Sequence, residues 1–330
     1  MYESFYKLHS KPFQLSPDAR FFYNSRGHKR AMSYLRYGIT QGEGFIVIMG
    51  DIGTGKTTLV QNMFDHLLED NLVAAKIVTT QLEADDMLRM VSSAFGLRHE
   101  GLDKTSLLKA LEAFFVKQTR AGKRVLLVVD EVQNIPLKSL EELRMLSNFQ
   151  IGGVALLQIF LLGQREFVKT LQADGLEQLR QRVIASYYLK ALERDEVQGY
   201  IDHRLQSSGW KNDPEFDVSA YDEIYDYTAG TPRRINTLCD RLMLFGYLEE
   251  IHKIDASVVK AVTTELRGEI TYAPEGEGEG EEVVSRRDNK VSQKMVDVEQ
   301  RLCVLEEKVE ELEGGVKSHK SKLSGLWPSS

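Results

Sequence analysis

This 330-residue sequence predicts a three-layer α/β fold with a parallel sheet, followed by a small helical domain. Three observations carry that prediction. Short β-branched runs alternate with segments whose apolar residues recur at helical spacing. The runs are predominantly apolar, FIVIMG and VLLVV continuously so, as strands covered on both faces are. Beyond about residue 191 the runs stop and only helical patterns continue, separated by Gly, Pro and Asp.

Residues 1–40 carry several aromatics and one helical pattern, GHKRAMSYLRYGITQ, ahead of the first strand. The expected strands are FIVIMG (45–50), AAKIVTT (74–80), VLLVVD (125–130), LLQIFLLG (156–163) and ASYYLK (185–190). Between them lie the helical patterns TTLVQNMFDHLLED, ADDMLRMVSSAFG, TSLLKALEAFFVKQT and LKSLEELRMLSNF. Four helices are expected next, in ERDEVQGYIDHRLQSSG, DVSAYDEIYDYTAG, PRRINTLCDRLMLFGYLEE and DASVVKAVTTELRG. The expected organisation is an α/β domain over 1–190 and a helical lid over 191–270. A flexible Gly/Glu linker follows over 271–290, then a short coiled coil over 291–316 and a disordered tail over 317–330.

The coiled coil rests on an unbroken four-three alternation of Val291, Met295, Val298, Leu302, Leu305, Val309, Leu312 and Val316. Lys294, Arg301 and Lys308 then fall at g positions, and Glu299, Glu306 and Glu313 at the e positions five residues later. Such pairs meet across the seam of a parallel coiled coil, which favours self-association over docking on the chain's own body.

Composition narrows the function. A formal charge of −7 gives no general attraction to nucleic acid or anionic lipid. Two cysteines, Cys239 and Cys303, are far apart and lack metal-ligand spacing, which suits a reducing compartment. The N-terminus, MYESFYKLHSKPF, has no basic segment followed by an apolar one. The most apolar run, VALLQIFLLG, is too short to span a bilayer. The expectation is a cytoplasmic protein without a transmembrane segment, peripheral at the inner membrane only through partners.

Residues 50–58, GDIGTGKTT, follow the first strand and open a helical pattern, which is the context a phosphate-binding P-loop requires. Backbone N–H groups of Gly50, Asp51, Ile52, Gly53, Thr54, Gly55, Lys56, Thr57 and Thr58 are expected to cradle the phosphates of ATP. Lys56 is expected to reach the β/γ-phosphates and the Thr57 hydroxyl to ligate Mg²⁺. The second element is VLLVVDE. Asp130, at the tip of a buried strand, is placed to hold Mg²⁺ directly or through water. Glu131 follows as the general base or orienter for the attacking water. A carboxylate at that position argues for hydrolysis and not binding alone.

Three further polar residues are singled out by their places: Gln164 at the end of a buried strand expected beside the Asp130 strand, Arg182 just before the last strand, and Arg233 at the start of a helical-domain helix. The order of these features resembles the AAA+ ATPases. More narrowly, the chain is similar to general secretion pathway ATPases of the ExeA/GspA type. The residues carrying the resemblance are MYESFYKLHSKPFQLSPDARFFY, HKRAMSYLRYGITQGEGFIVIMGDIGTGKTT, LLVVDEVQN, LEELRMLSNFQ, LLGQREF, LRQRVIASYYL and GTPRRINTLCDRL, over roughly 1–268. Within that group it most resembles the ATPase associated with exosortase/PEP-CTERM and exopolysaccharide loci.

The resemblance implies a role for each. Gln164 positions the lytic water as sensor 1. Arg182, with Arg180 as its rival, is an arginine finger presented to a neighbouring subunit. Arg233 is a sensor 2 in the lid. It also implies that Phe13, Pro17 and His28 help close the adenine pocket. Arg165 stands where the family usually has proline, and the membrane span and peptidoglycan-binding module often found in such secretion ATPases are not in this sequence.

Two functions from different classes follow. The first is an ATPase that hydrolyses ATP with Mg²⁺ as a homo-oligomer, a hexamer being one form. It drives assembly or export together with envelope secretion or polysaccharide-export proteins. The second is a DNA-binding AAA+ regulator resembling transposition ATPases, to which basic clusters such as RGHKR (26–30) would contribute.

Overall fold

The computed structural model describes residues 1–16, 18–67, 71–78, 86–173 and 175–271 of the chain. The expected linker beyond residue 271, the coiled coil and the tail lie outside the described residues, as does Pro17. Residues 1–272 cluster as one compact unit.

The sheet has five strands: β1 (Phe45–Gly50), β2 (Leu72–Val78), β3 (Arg124–Asp130), β4 (Gln158–Gly163) and β5 (Val183–Leu189). Their order is β2-β3-β4-β1-β5 and every pairing is parallel. The P-loop strand and the Asp130 strand therefore do not touch. β4, which leads to Gln164, lies between them, with Met49 beside Gly163 and Val129 beside Leu161. Several strand edges differ from the sequence expectation. β2 begins two residues early at Leu72 and β3 one early at Arg124. β4 begins two residues late at Gln158, with Leu156 and Leu157 buried in the core after a two-residue antiparallel ribbon (Gln150–Ile151 with Val154–Ala155), and β5 begins two residues early at Val183.

Strand periodicity sorts the apolar residues onto two faces. Phe45, Val47, Leu127, Val129, Ile159 and Leu161 enter one core. There they meet helices α3 (Asp86–Ala94), α4 (Lys104–Arg120) and α5 (Leu137–Leu146). Ile46, Ile48, Leu126, Val128, Phe160 and Leu162 enter the other. Their partners are Ala31 and Leu35 of helix α1 (Arg26–Gln41) and Leu59, Val60 and Met63 of helix α2 (Lys56–Leu67). The sheet is thus covered on both sides, which is why its three central strands are nearly continuous in apolar sequence.

A third core is built by α8 (Arg194–Ser207), α9 (Val218–Thr228), α10 (Pro232–Leu248) and α11 (Ala256–Thr271), beyond the short helices α6 (Glu166–Gln172) and α7 (Glu177–Arg180). Two departures appear here. The N-terminal aromatics, expected within the α/β domain, pack into this helical core: Tyr2, Tyr6 and Phe13 are all buried in it. Strands also do not stop at residue 191, since Glu215–Phe216 pairs in parallel with Lys253–Ile254. Among the described residues, no helix is long and apolar enough to cross a membrane.

Candidate nucleotide site

The turn from β1 into α2 is the phosphate loop. Gly53 (φ +81°) and Gly55 (φ +94°) adopt left-handed backbone that L side chains rarely enter. Space forbids a side chain as well. A Cβ on Gly53 would sit 2.6 Å from Cβ of Arg233, and one on Gly55 2.9 Å from Nε2 of His28. The loop is therefore pressed between helix α1 and the start of α10.

Lys56 is buried, and its ammonium donates to the carbonyl oxygens of Gly50 (2.7 Å) and Asp51 (3.1 Å). Burial pushes its pKa down, while the nearby carboxylates of Glu131, Asp130 and Asp51 oppose that shift. Thr54 Oγ1 donates to the Asp51 carbonyl at 2.9 Å, and the Tyr188 hydroxyl donates to Asp51 Oδ1 at 2.6 Å. Ile52, at the loop tip, is exposed. Thr57 Oγ1 donates to Asp130 Oδ2 at 2.9 Å, joining the first helical turn to the end of β3. The same carboxylate oxygen is 3.0 Å from the ammonium of Lys76, on β2. The other oxygen accepts the Glu131 N–H at 3.1 Å.

Glu131 takes a left-handed backbone (φ +55°, ψ +41°) that is costly for a non-glycine residue and recurs at functional sites. That turn aims its carboxylate at two amides. Gln133 Nε2 donates to Glu131 Oε2 at 2.6 Å, and Gln164 Nε2 donates to the same oxygen at 3.1 Å. The Gln164 backbone N–H donates in turn to Gln133 Oε1 at 3.0 Å. Gln164 thus meets Glu131 because β4 neighbours β3.

Lys56, Thr57, Thr58 and Glu131 line a cleft of about 340 Å³ with Arg233, whose backbone N–H donates to the Gly53 carbonyl at 3.1 Å. Phe22, His28 and Tyr200 line it as well, and Arg204, its guanidinium 4.8 Å from the ring centre of Phe21, also borders the cleft. His28 is held by the Ser25 hydroxyl at 2.7 Å (Nδ1) and by a hydrogen bond with the Thr54 backbone. Burial brings its pKa down to about 4, so the ring is neutral at pH 7. Phe13 does not line the cleft. It is 1% exposed inside the helical core, which corrects the expectation that it closes the adenine pocket.

Arg182 lies elsewhere. It precedes β5 and so stands at the opposite end of the sheet from its own P-loop, about 20 Å away for a strand of this length. Its guanidinium donates to the carbonyl oxygen (3.2 Å) and hydroxyl (3.4 Å) of Ser147. Arg180 donates to the carbonyls of Leu171 (2.6 Å) and Ala173 (3.2 Å). Arg165 is exposed at the start of α6.

Lys76, Gln133 and Tyr188 were not singled out by the sequence. A lysine inside the apolar strand LVAAKIV and a polar residue three after Asp130 were the available signals.

The residues fit a magnesium nucleotide. Two left-handed glycines leave positions 53 and 55 without side chains, a buried ammonium donates to the loop carbonyls of Gly50 and Asp51, and a hydroxyl and a carboxylate converge 2.9 Å apart. Thr57 and Asp130 would hold Mg²⁺, and Lys56 would meet the phosphates. Bound Mg²⁺ supplies positive charge to the phosphoryl oxygens.

Residues 39–171 match the family described as "AAA domain". The chain is 34% identical over 279 residues to "General secretion pathway protein A" of Aeromonas hydrophila, covering 82% of this chain and 50% of that protein. It thus spans about half the length of the curated relative it matches. Among solved structures it resembles Cdc6p from Pyrobaculum aerophilum (TM-score 0.60, 14% identity, 80% of this chain and 74% of that one). It also resembles the Aeropyrum pernix ORC2 protein in ADPNP–ADP complexes (TM-score 0.57, 15% identity, 76% and 72%). At such identities these two likenesses concern the fold alone. Phosphate loop and strand order agree with these likenesses on the P-loop NTPase fold, and residues 39–171 are similar to the AAA domain.

Proposed function

We propose that this chain is an ATPase that hydrolyses ATP with Mg²⁺, shares its sites between subunits of a homo-oligomer, and couples turnover to assembly or export at an envelope secretion or exopolysaccharide system of the exosortase-associated kind. The observation that carries the hydrolytic part is the Glu131 carboxylate held by two amides beside the Asp130–Thr57 pair. In this reading Glu131 takes a proton from the attacking water, Gln164 helps place that water, and Lys56 offsets charge on the transferred phosphoryl group. Arg233 senses the nucleotide from the first turn of α10, whose backbone already rests on the P-loop.

Sharing between subunits is supported by the place of Arg182. Its distance from its own P-loop leaves a neighbouring copy as the site it could serve, once released from Ser147. The secretion setting rests on the similarity to General secretion pathway protein A. The test is phosphate release with Mg²⁺–ATP over a range of protein concentrations. Specific activity should rise with concentration, and Arg182→Ala should abolish the rise while leaving nucleotide binding intact. Activity per chain that is constant with concentration and indifferent to Arg182→Ala would remove the shared site from the proposal.

A further inference from the structure

The lysine on β2 has no part in the hydrolytic reading above. Lys76 Nζ sits 3.0 Å from Asp130 Oδ2, the oxygen that also accepts the Thr57 hydroxyl at 2.9 Å. Asp130 is almost wholly buried (3% of its side chain is exposed) and Lys76 is largely so, at 23%. The pairing follows from register. Val78 is the β-partner of Asp130, so the long side chain of Lys76, two residues earlier on β2, runs along the strand to the carboxylate. A cation is thereby placed on the carboxylate oxygen that faces Thr57, where the metal's positive charge is needed.

We propose that Lys76 is a resident counter-cation of Asp130 that sets the affinity of the site for Mg²⁺. This rests on the reading of Thr57 and Asp130 as the metal's holders. Physically, a buried carboxylate without a cation is costly, and the ammonium neutralises Asp130 while no metal is bound. With Thr57 and Asp130 as its holders, a Mg²⁺ ion would meet the like charge of the Lys76 ammonium beside that carboxylate, which would lower the affinity of the site for it. The lysine therefore acts in opposite directions on the two forms of the ligand. It helps the metal-free nucleotide, because it screens Asp130 from the phosphates, and it penalises the divalent cation.

The test compares wild type with Lys76→Met and Lys76→Arg, and with Lys76→Gln as a second neutral variant, each checked for folding by circular dichroism. A fluorescent ATP analogue is titrated first in EDTA and then with increasing MgCl₂. Lys76→Met and Lys76→Gln should lower the half-saturating Mg²⁺ about tenfold, the scale of removing one like charge from a partly buried site. They should at the same time weaken binding in EDTA. Lys76→Arg should stay within about threefold of wild type in both. Neutral variants whose Mg²⁺ midpoint is unchanged or higher overturn the proposal, as does weakening of both forms together, which marks a merely structural lysine. If wild type itself fails to bind the analogue with Mg²⁺, it is the nucleotide-site reading that falls.

Discussion

Replacing Gln133 by methionine removes two hydrogen bonds while keeping side-chain volume. One is the 2.6 Å bond to Glu131 Oε2 and the other the 3.0 Å bond from the Gln164 N–H. A hydrogen bond to a charged group contributes about 1.5–3 kcal/mol, and the neutral bond nearer 1 kcal/mol. Gln164 Nε2 still donates to the same carboxylate oxygen at 3.1 Å, so the orientation of Glu131 is weakened and not lost. At 1.4 kcal/mol per tenfold, turnover should fall roughly ten- to fifty-fold. Gln133 does not line the phosphate cleft, so nucleotide affinity should change less than about twofold. Steady-state phosphate release read beside equilibrium binding of a fluorescent ATP analogue separates the two quantities. Unchanged turnover would refute the claim that Gln133 positions Glu131. Affinity falling in step with turnover would show that the residue supports the loop as a whole.

Other consequences concern the N-terminal segment. Phe13→Ala should destabilise the fold by about 3–5 kcal/mol, the usual loss for a fully buried phenylalanine, while nucleotide affinity measured in the cold stays within about twofold. A preserved melting temperature with lost affinity would return Phe13 to the adenine pocket. His28 predicts a pH dependence. Its folded pKa of about 4 lies below the ordinary 6.5, so protonation favours the unfolded chain. The stability its burial permits is complete above pH 6.5 and is lost as pH falls toward 4. Between pH 7 and pH 5 this amounts to about 2 kcal/mol, and His28→Gln should lose correspondingly less than wild type in urea unfolding. Equal losses in both proteins would contradict the assignment.

Much of this architecture is legible in the sequence because its signals are local. The continuous apolar runs at 45–50 and 125–130 mark strands buried on both faces, and GDIGTGKTT is constrained by backbone geometry that only glycine satisfies at positions 53 and 55. The position of Gln164 beside Glu131 follows from strand order, and the sequence order of motifs anticipates it. What escapes the sequence depends on register and long-range packing. Nothing local in LVAAKIV says that Lys76 reaches Asp130, because that contact exists only once β2 and β3 are aligned. Nothing near Phe13 tells whether an aromatic faces a nucleotide or the helical core that forms some 180 residues later. Gln133 needed the left-handed turn at Glu131 to bring its amide onto the carboxylate.

The central claim is that Glu131 serves hydrolysis and not nucleotide capture. It is tested most directly by Glu131→Gln in the full chain, with Mg²⁺–ATP binding and phosphate release measured on the same preparation. Binding should persist within a few-fold while turnover falls by about a hundredfold or more, the contribution of a positioned general base. Turnover at the wild-type rate with binding intact would contradict it.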